Sequence, residues 1–259
     1  MSTTRRYRTI WISDVHLGSR GAQAEALLGF LKHTESEYLF LGGDIVDGWQ
    51  IKKSWYWPQS HNDVIQKLLR KARKRTKVVY IPGNHDEGVR DFVGFTFGGI
   101  RVAREAIHTL ADGRRLLILH GDEFDGMMSL SRRWLATLGH SAYDRALRIN
   151  RWLNAGLQRL GWSPWPISAQ LKHWAKSAGG KLDRFRATLI HEARRQGVDG
   201  LVCGHIHHAE LRDDTGLVYA NSGDWVESCT ALVEHFDGRL EILRWADLRR
   251  ELVEPRAAA

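Results

Sequence analysis

Short apolar runs, each closed by a polar turn that contains glycine, set the rhythm of this chain. Residues 7–13 (YRTIWIS) predict a buried strand. Positions 22–33 predict a helix, with Ala24, Leu27, Leu28 and Leu31 along one face. A second strand over 38–41 runs into Gly42-Gly43-Asp44. The helix predicted over 61–74 turns Val64, Ile65, Leu68 and Leu69 inward and keeps a basic outer face. Residues 78–81 predict a third strand, ending in Pro82-Gly83-Asn84-His85-Asp86, and 116–119 a fourth, ending in His120-Gly121-Asp122. A helix over 182–195 leads to a strand at 200–203 and the turn Gly204-His205-Ile206-His207. The last third reads as strands at 217–220, 230–236 and 240–245, with Asp237-Gly238 as a hairpin turn. There is no internal repeat, and only the terminal AAA is expected to fray.

Composition narrows the picture. With 259 residues, 43% of them hydrophobic, the chain can build a sizeable core, which excludes global disorder. The length suits one α/β domain with an insertion, or two small domains; the expected organisation is a single domain over 1–259 with the insertion at 126–181. Cys203 and Cys229 lie in apolar or β-like stretches without a metal-type partner nearby, so two reduced cysteines in a cytosolic protein are expected. The N-terminal MSTTRRYRTIWIS lacks an apolar h-region, and no apolar run approaches the ~18 residues of a membrane span. The expected location is therefore cytoplasmic.

The charge is unevenly placed. Of 38 Lys/Arg and 30 Asp/Glu, segment 126–181 holds nine basic residues and one acid, Asp144, and so carries the whole excess of +8. A segment this basic calls for an anionic partner.

The chemistry sits in the turns: Asp14-Val15-His16, Gly43-Asp44, Gly83-Asn84-His85-Asp86, His120-Gly121-Asp122 and Gly204-His205-Ile206-His207. Any one of them has ordinary structural explanations. Five in succession, each after a predicted strand, do not, because sites in α/β sheets gather just past the carboxyl ends of strands. Carboxylate oxygen, amide oxygen and imidazole nitrogen without thiolate suit Mn²⁺, Mg²⁺, Fe²⁺ or Zn²⁺, with Mn²⁺ the leading expectation. On an extended strand end, Asp14 and His16 would point to the same side and hold one ion, and His205 and His207 likewise. Asp44, with two oxygens, could bridge two ions. Two such cations activate water, neutralise phosphate oxygens and align phosphorus for attack. Neither a Walker loop nor a G-x-S-x-G elbow is present.

The ordered set D-x-H, G-D, G-N-H-D, H-G-D, G-H-x-H, spanning Asp14 to His207, resembles the calcineurin-like metallophosphoesterase superfamily. The resemblance implies a four-layer α/β/β/α sandwich and a dinuclear hydrolase of phosphoester or pyrophosphate bonds. It implies one metal held by Asp14, His16, Asp44 and His207, and a second by Asp44, Asn84, His120 and His205. It also implies that His85 sits beside the phosphate, stabilises developing charge or protonates the leaving oxygen, and is oriented by Asp86. Asp47 and Asp122 are candidate supporting carboxylates, and for Asp47 a helix-capping role is an equal alternative.

Lying between H-G-D and G-H-x-H, the 126–181 insertion is expected to form a helical lid over the site. It holds five of the eleven tryptophans, and apolar residues recur at near-helical spacing over 141–160. Basic helices rich in Trp and Leu suit a membrane interface; a helical hairpin packed on the sandwich is the plainer alternative. The lid's place and the ending Asn221–Trp225 (NSGDW) resemble the branch of UDP-2,3-diacylglucosamine pyrophosphohydrolases. That resemblance implies an amphiphilic pyrophosphate substrate, release of UMP and 2,3-diacylglucosamine 1-phosphate, and peripheral attachment to the anionic cytoplasmic face of the inner membrane. Arg132, Arg133, Trp134, Arg148 and Trp152 are the expected substrate contacts. One departure stands out: that branch commonly carries G-N-R-D where this chain has Gly83-Asn84-His85-Asp86, which points toward a different nucleotide or phospholipid head group. Nucleic acid is not the expected partner, because the excess charge is confined to one Trp-rich segment instead of spread along a groove. A scaffold that lost its chemistry is disfavoured by the full set of ligand-type residues.

Overall fold

The computed structural model describes residues 4–125, 168–213 and 216–253. Its chain divides into two compact units, Met1–Asp122 with Leu189–Ala259, and Glu123–Thr188. The first unit holds two sheets. The larger runs in the order β12-β11-β1-β2-β3-β5-β4: β1 (Arg5–Ile12), β2 (Thr34–Leu41), β3 (Lys77–Tyr80), β4 (Thr96–Phe97), β5 (Ile100–Val102), β11 (Thr230–Glu234) and β12 (Leu240–Arg244). The smaller runs β6-β7-β8-β10-β9: β6 (Ala106–Thr109), β7 (Arg115–Ile118), β8 (Gly200–Cys203), β9 (Glu210–Arg212) and β10 (Val218–Asn221).

The strands read as near-continuous apolar runs because both of their faces are buried. On β1, Ile10 and Ile12 join one core while Trp11 joins the other; on β2, Leu39 and Leu41 part from Phe40 in the same way, and on β11, Ala231 and Val233 part from Leu232. The first core packs the larger sheet against helices α1 (Ala24–His33), α3 (Gln59–Arg73) and α6 (Trp245–Val253) through Leu27, Phe30, Leu31, Val64, Leu68 and Leu248. The second lies between the sheets, where Trp11, Phe40 and Leu232 meet Ile118, Val202 and Val218. On the other face of the smaller sheet Leu117, Leu201 and Tyr219 are buried, as are Leu189 and Ala193 near the end of α5 (Ser168–Arg195). The result is a mixed α/β fold of two sheets flanked by helices, as expected.

Several boundaries differ from the sequence reading. Strand β2 begins at Thr34, directly after α1, because its polar first half pairs with Arg5–Tyr7 at an exposed corner where no apolar alternation marks it. Helix α5 starts at Ser168 rather than at 182. The short helix α2 (Gly48–Lys53), the 3₁₀ turn Glu87–Phe92 and the short strands β4, β5, β6 and β9 carry little periodicity and were not expected, and neither was α6. The hairpin at Asp237-Gly238 does join β11 to β12 in antiparallel register, Glu234 opposite Leu240. The helix expected over 141–160 and the lid contacts Arg132, Arg133, Trp134, Arg148 and Trp152 lie outside the described residues.

A polar clamp crosses the inter-sheet layer. Glu234, fully buried, accepts from Arg8 Nη1 (2.6 Å), Thr9 Oγ1 (2.5 Å) and the Ala111 amide (2.7 Å), and its Oε2 lies 3.1 Å from His108 Nε2 on β6. A buried carboxylate is tolerated only when paired and hydrogen-bonded in this way. Replacing Glu234 with Ala leaves a half-buried guanidinium and the buried Thr9 and His108 without their acceptor and should destabilise the protein by about 2–4 kcal/mol in urea unfolding. A loss under about 1 kcal/mol, within the range of an exposed ion pair, would show that the clamp does not hold the sheets together.

Candidate metal centre

Strands β1, β2 and β3 run parallel, and so do β7, β8 and β10. Within each sheet their carboxyl ends therefore face one way, and the loops leaving them meet. Backbone bonds stitch the loops together. Asp14 N donates to Gly43 O (3.0 Å), Val15 N and His16 N donate to Asp44 O (2.9 Å each), Gly204 N donates to His120 O (3.1 Å), and Trp225 N donates to Asp14 O (3.0 Å).

Three groups of ligand-type side chains result: two metal-type clusters, and a group of His16, Asp47 and His85 that shares His16 with the first of them. Asp14, His16 and His207 bring one ligand-type atom each within 4.8 Å of one another, and so do Asp44, His120 and His205. In the first, His207 Nε2 lies 3.3 Å from Asp14 Oδ1 and 3.3 Å from His16 Nε2. Asp44 joins the two, its Oδ2 standing 3.9 Å from His16 Nε2 and 3.3 Å from His120 Nε2.

The hydrogen bonds outside the clusters set which nitrogen faces in. His120 Nδ1 donates to Gly42 O (2.7 Å), and His16 Nδ1 donates to Asp47 Oδ2 (3.1 Å), so both rings present an Nε2 lone pair inward. His120 Nε2 and Asn84 Oδ1 are buried and meet no hydrogen-bond partner. Two inward lone pairs beside the Asp44 carboxylate form a donor set of hard oxygen and imidazole nitrogen, and a divalent cation fits it.

Charge tells the same story. Burial alone would raise Asp44, yet the close approach and charge of His120 outweigh it and hold the carboxyl well below the ordinary range. Burial would lower His120, but Asp44 and Asp14 push it up to about 10. Asp14 is likewise held low by His207 against its complete burial. The pocket is rich in buried negative charge and draws positive charge to itself.

Five of the seven non-glycine residues with positive φ among those described carry this site: Asp14 (53°), His16 (54°), Asp44 (53°), His205 (70°) and His207 (53°). Such backbone costs energy and persists where the surroundings over-determine it. Here it also corrects a reading made from sequence. Asp14 and His16 lie beyond the end of β1 in left-handed conformation, not on an extended strand. His205 and His207 do not face one another across a shared position; they part, one to each cluster. Asp and His are among the few side chains that tolerate left-handed backbone. The glycines between them answer to space. A Cβ on Gly83 would collide with Asp44 Oδ1 and approach His120 Nε2 to 2.7 Å, and one on Gly43, at φ 88°, would collide with the His120 ring.

His85 stands at the rim, its side chain 25% exposed. Its amide donates to Asp44 Oδ1 (2.8 Å), and its ring packs against Trp49 (centroids 4.1 Å apart) and His16 (4.6 Å). The expectation that Asp86 orients it is corrected. Asp86 Oδ1 accepts from Gly83 N (2.5 Å), and its Oδ2 from Ile45 N (2.8 Å) and Tyr80 Oη (2.5 Å), so this carboxylate braces the loop from beneath. The carboxylate that reaches His85 is Asp47, with Oδ1 3.1 Å from His85 Nδ1. Asp47 fills both roles considered for it, because the same Oδ1 caps α2 through Gln50 N (2.9 Å). Asp122 takes both oxygens to Arg90 Nη2 (2.8 Å each), which also reaches Pro82 O (3.4 Å), and so supports the Gly83–Asp86 turn from the side.

The segment Asn221–Trp225 entered the sequence reading only through resemblance, yet it is the floor of the site. Asn221 Nδ2 donates to Gly204 O (2.6 Å), Ser222 Oγ meets Ser13 Oγ (2.7 Å), and Asp224 Oδ1 accepts from Val226, Glu227 and Ser228 amides. A signal was present: an Asn-Ser-Gly-Asp turn after an apolar run has the same form as the other five turns.

Because Asp47 anchors both His16 and His85, Asp47→Asn should keep the cap on α2 and lower turnover or metal affinity by about 10–100-fold, read by phosphodiester kinetics and metal titration. Wild-type values for both would remove Asp47 from the site.

Comparison with known proteins agrees with the geometry. Over 132 residues the chain is 26% identical to a UDP-2,3-diacylglucosamine hydrolase of Blochmanniella pennsylvanica, covering 49% of this chain and 52% of that protein. Over 153 residues it is 29% identical to a DNA polymerase II small subunit of Methanothermobacter thermautotrophicus, covering 47% and 32%. The chain thus spans a third to a half of the length of these relatives. Among solved structures, a hypothetical protein of Pyrococcus horikoshii OT3 aligns with a TM-score of 0.48 and 9% identity, covering 96% of this chain and 94% of that one. The calcineurin-like phosphoesterase model matches residues 7–209, most of the chain, and the protein belongs to that family of metal-dependent phosphoester hydrolases.

Proposed function

We propose that this enzyme cleaves the pyrophosphate or phosphoester bond of an amphiphilic substrate of the UDP-2,3-diacylglucosamine kind, at the surface of an anionic membrane. The observation that carries the hydrolytic half of this reading is Asp44, one carboxylate turned toward both ligand clusters. Asp14, His16, Asp44 and His207 would hold one cation, and Asp44, Asn84, His120 and His205 the other. Two divalent cations held there would acidify a water and neutralise the phosphate oxygens. The chain's own part is to fix geometry: Asp47 and Gly42 O lock the His16 and His120 rings, and the left-handed turns hold the carboxylates in place. His85, tethered at Nδ1 by Asp47, keeps Nε2 for the leaving oxygen, where it steadies charge or delivers a proton.

The amphiphilic half is supported by what surrounds these loops. Trp49, Trp55, Phe92, Phe95 and Phe97 are exposed on the segments that follow β2 and β3, with Phe97 in ring contact with both Phe92 and Phe95. Aromatic side chains left in water suit an interface of acyl chains and head groups. The basic, Trp-rich 126–181 segment has the same dual character. No helix among the described residues is long and apolar enough to cross a membrane, so attachment would be peripheral. The similarity to a UDP-2,3-diacylglucosamine hydrolase points the same way. A metallophosphodiesterase or phosphatase acting on a different nucleotide or phospholipid head group is the second reading, favoured by His85 in the place where the lipid branch commonly carries Arg.

His85→Ala should reduce turnover by about 10²–10⁴-fold while the bound metal, measured by elemental analysis, stays at the wild-type level. Loss of both metals with the activity would contradict the role given to His85. For the substrate, excision of 126–181 should abolish hydrolysis of UDP-2,3-diacylglucosamine in mixed micelles and spare bis(p-nitrophenyl) phosphate. If hydrolysis of the acylated substrate survives the excision, or single-stranded DNA is cut faster than the lipid, the amphiphilic reading fails.

A further inference from the structure

At the opposite end of the larger sheet, below the amino ends of β1 and β2 and the start of β3, lies a cavity of about 300 Å³. Seven Lys/Arg side chains line it against two acids, Glu35 and Glu37. The basic residues come from separate elements: Arg6 from β1, Lys32 from α1, and Lys67, Lys71 and Lys74 from α3 and its end. A helix often gathers basic residues in its last turn to complement its dipole, and that accounts for the presence of Arg70, Lys71 and Arg73. It accounts neither for Arg6, on a separate strand, nor for the burial of Lys71.

Lys71 is the unusual member. It is 7% exposed, and its Nζ donates to Thr34 O (2.5 Å), which uses one of three N–H donors. No carboxylate among the described residues lies within ion-pair distance of it. Burial, and then the charge of Lys67, push its ammonium down to about 8. Beside it on the cavity wall, Ser36 Oγ is buried and meets no hydrogen-bond partner. An ammonium kept in a pocket with spare donors and like-charged neighbours is costly, and an anion in the pocket offsets that cost. The exposed ring of Phe236 forms part of the rim, so the site is basic at depth and aromatic at its edge.

We propose that this cavity binds a small phosphate-bearing anion at a site separate from the metal centre. The charges call for two or more phosphate groups, as in an oligophosphate or the phosphate chain of a nucleotide, and the volume admits a ligand of that size. Lys71 and Ser36 would take the inner phosphate, and Lys67, Lys74 and Arg6 the outer one.

The test is calorimetric titration of the full-length, metal-loaded protein with methylenediphosphonate, which cannot be hydrolysed at its bridge. Two binding events per chain are expected, one at the metal centre and one here. Lys67→Gln with Lys74→Gln should weaken the second event by about tenfold or more, while turnover of bis(p-nitrophenyl) phosphate is unchanged. Lys71→Met should abolish that event; if the variant does not fold, the double glutamine variant decides. Adenylyl imidodiphosphate separates the two sources: tighter binding than the bisphosphonate identifies a nucleotide with its base on Phe236, and equal binding identifies the phosphate chain alone. A single event in the wild-type protein, or a second event that the double variant leaves intact, overturns the proposal.

Discussion

Asp44 is where the two sheets are tied into one site. Its main-chain oxygen accepts the amides of Val15 and His16 from the loop after β1. Its Oδ1 accepts the His85 amide from the loop after β3, and its Oδ2 faces His120 from the smaller sheet. Four loops therefore converge on a single residue held at positive φ. Asn in that position would keep the acceptor for the His85 amide but lose the charge, and a side chain without that oxygen would loosen the backbone as well, so the residue is structural and chemical at once.

Around it the molecule concentrates unfavourable features. Asp14, Asp44, Asp47 and Asp86 are all buried within a few residues of the imidazoles, and five ligand-type residues take left-handed backbone. Each feature costs stability alone. Together they are held by cores packed on both faces of the larger sheet, whose strands bury Ile10, Trp11, Ile12, Leu39, Phe40 and Leu41 almost completely. The regular part of the fold is thus what allows the irregular part to stay fixed, and preorganisation of this kind is what a metal-dependent hydrolase needs.

Much of this was legible in the linear sequence, for identifiable reasons. Ligand chemistry is confined to Asp, His and Asn, and a strand buried on both faces announces itself as an apolar run, so the turns at Asp14, Asp44, Asn84, His120 and His207 could be placed at strand ends. What could not be read was the partner of each supporting carboxylate. Asp86 follows His85 directly, yet the turn folds back so that its oxygens meet Gly83, Ile45 and Tyr80, while Asp47, 38 residues earlier, reaches the imidazole. Adjacency in sequence says little about adjacency across a left-handed turn. The polar start of β2 and the short strands β4, β5, β6 and β9 were equally silent, because pairing there is decided by neighbours that periodicity does not reveal.

The hydrogen bond from Trp225 to Asp14 bears on how far the enzyme can be dissected. The family resemblance ends at residue 209, which invites the view of everything beyond it as an appendix. Strand β11, however, lies between β12 and β1, and residues 221–225 form the floor beneath the first and fifth turns. A truncation at 209 would leave β1 as a raw sheet edge and the Asp14 carbonyl without its donor. The catalytic machinery is consequently not modular along the chain: its last strands belong to the smallest piece that can work.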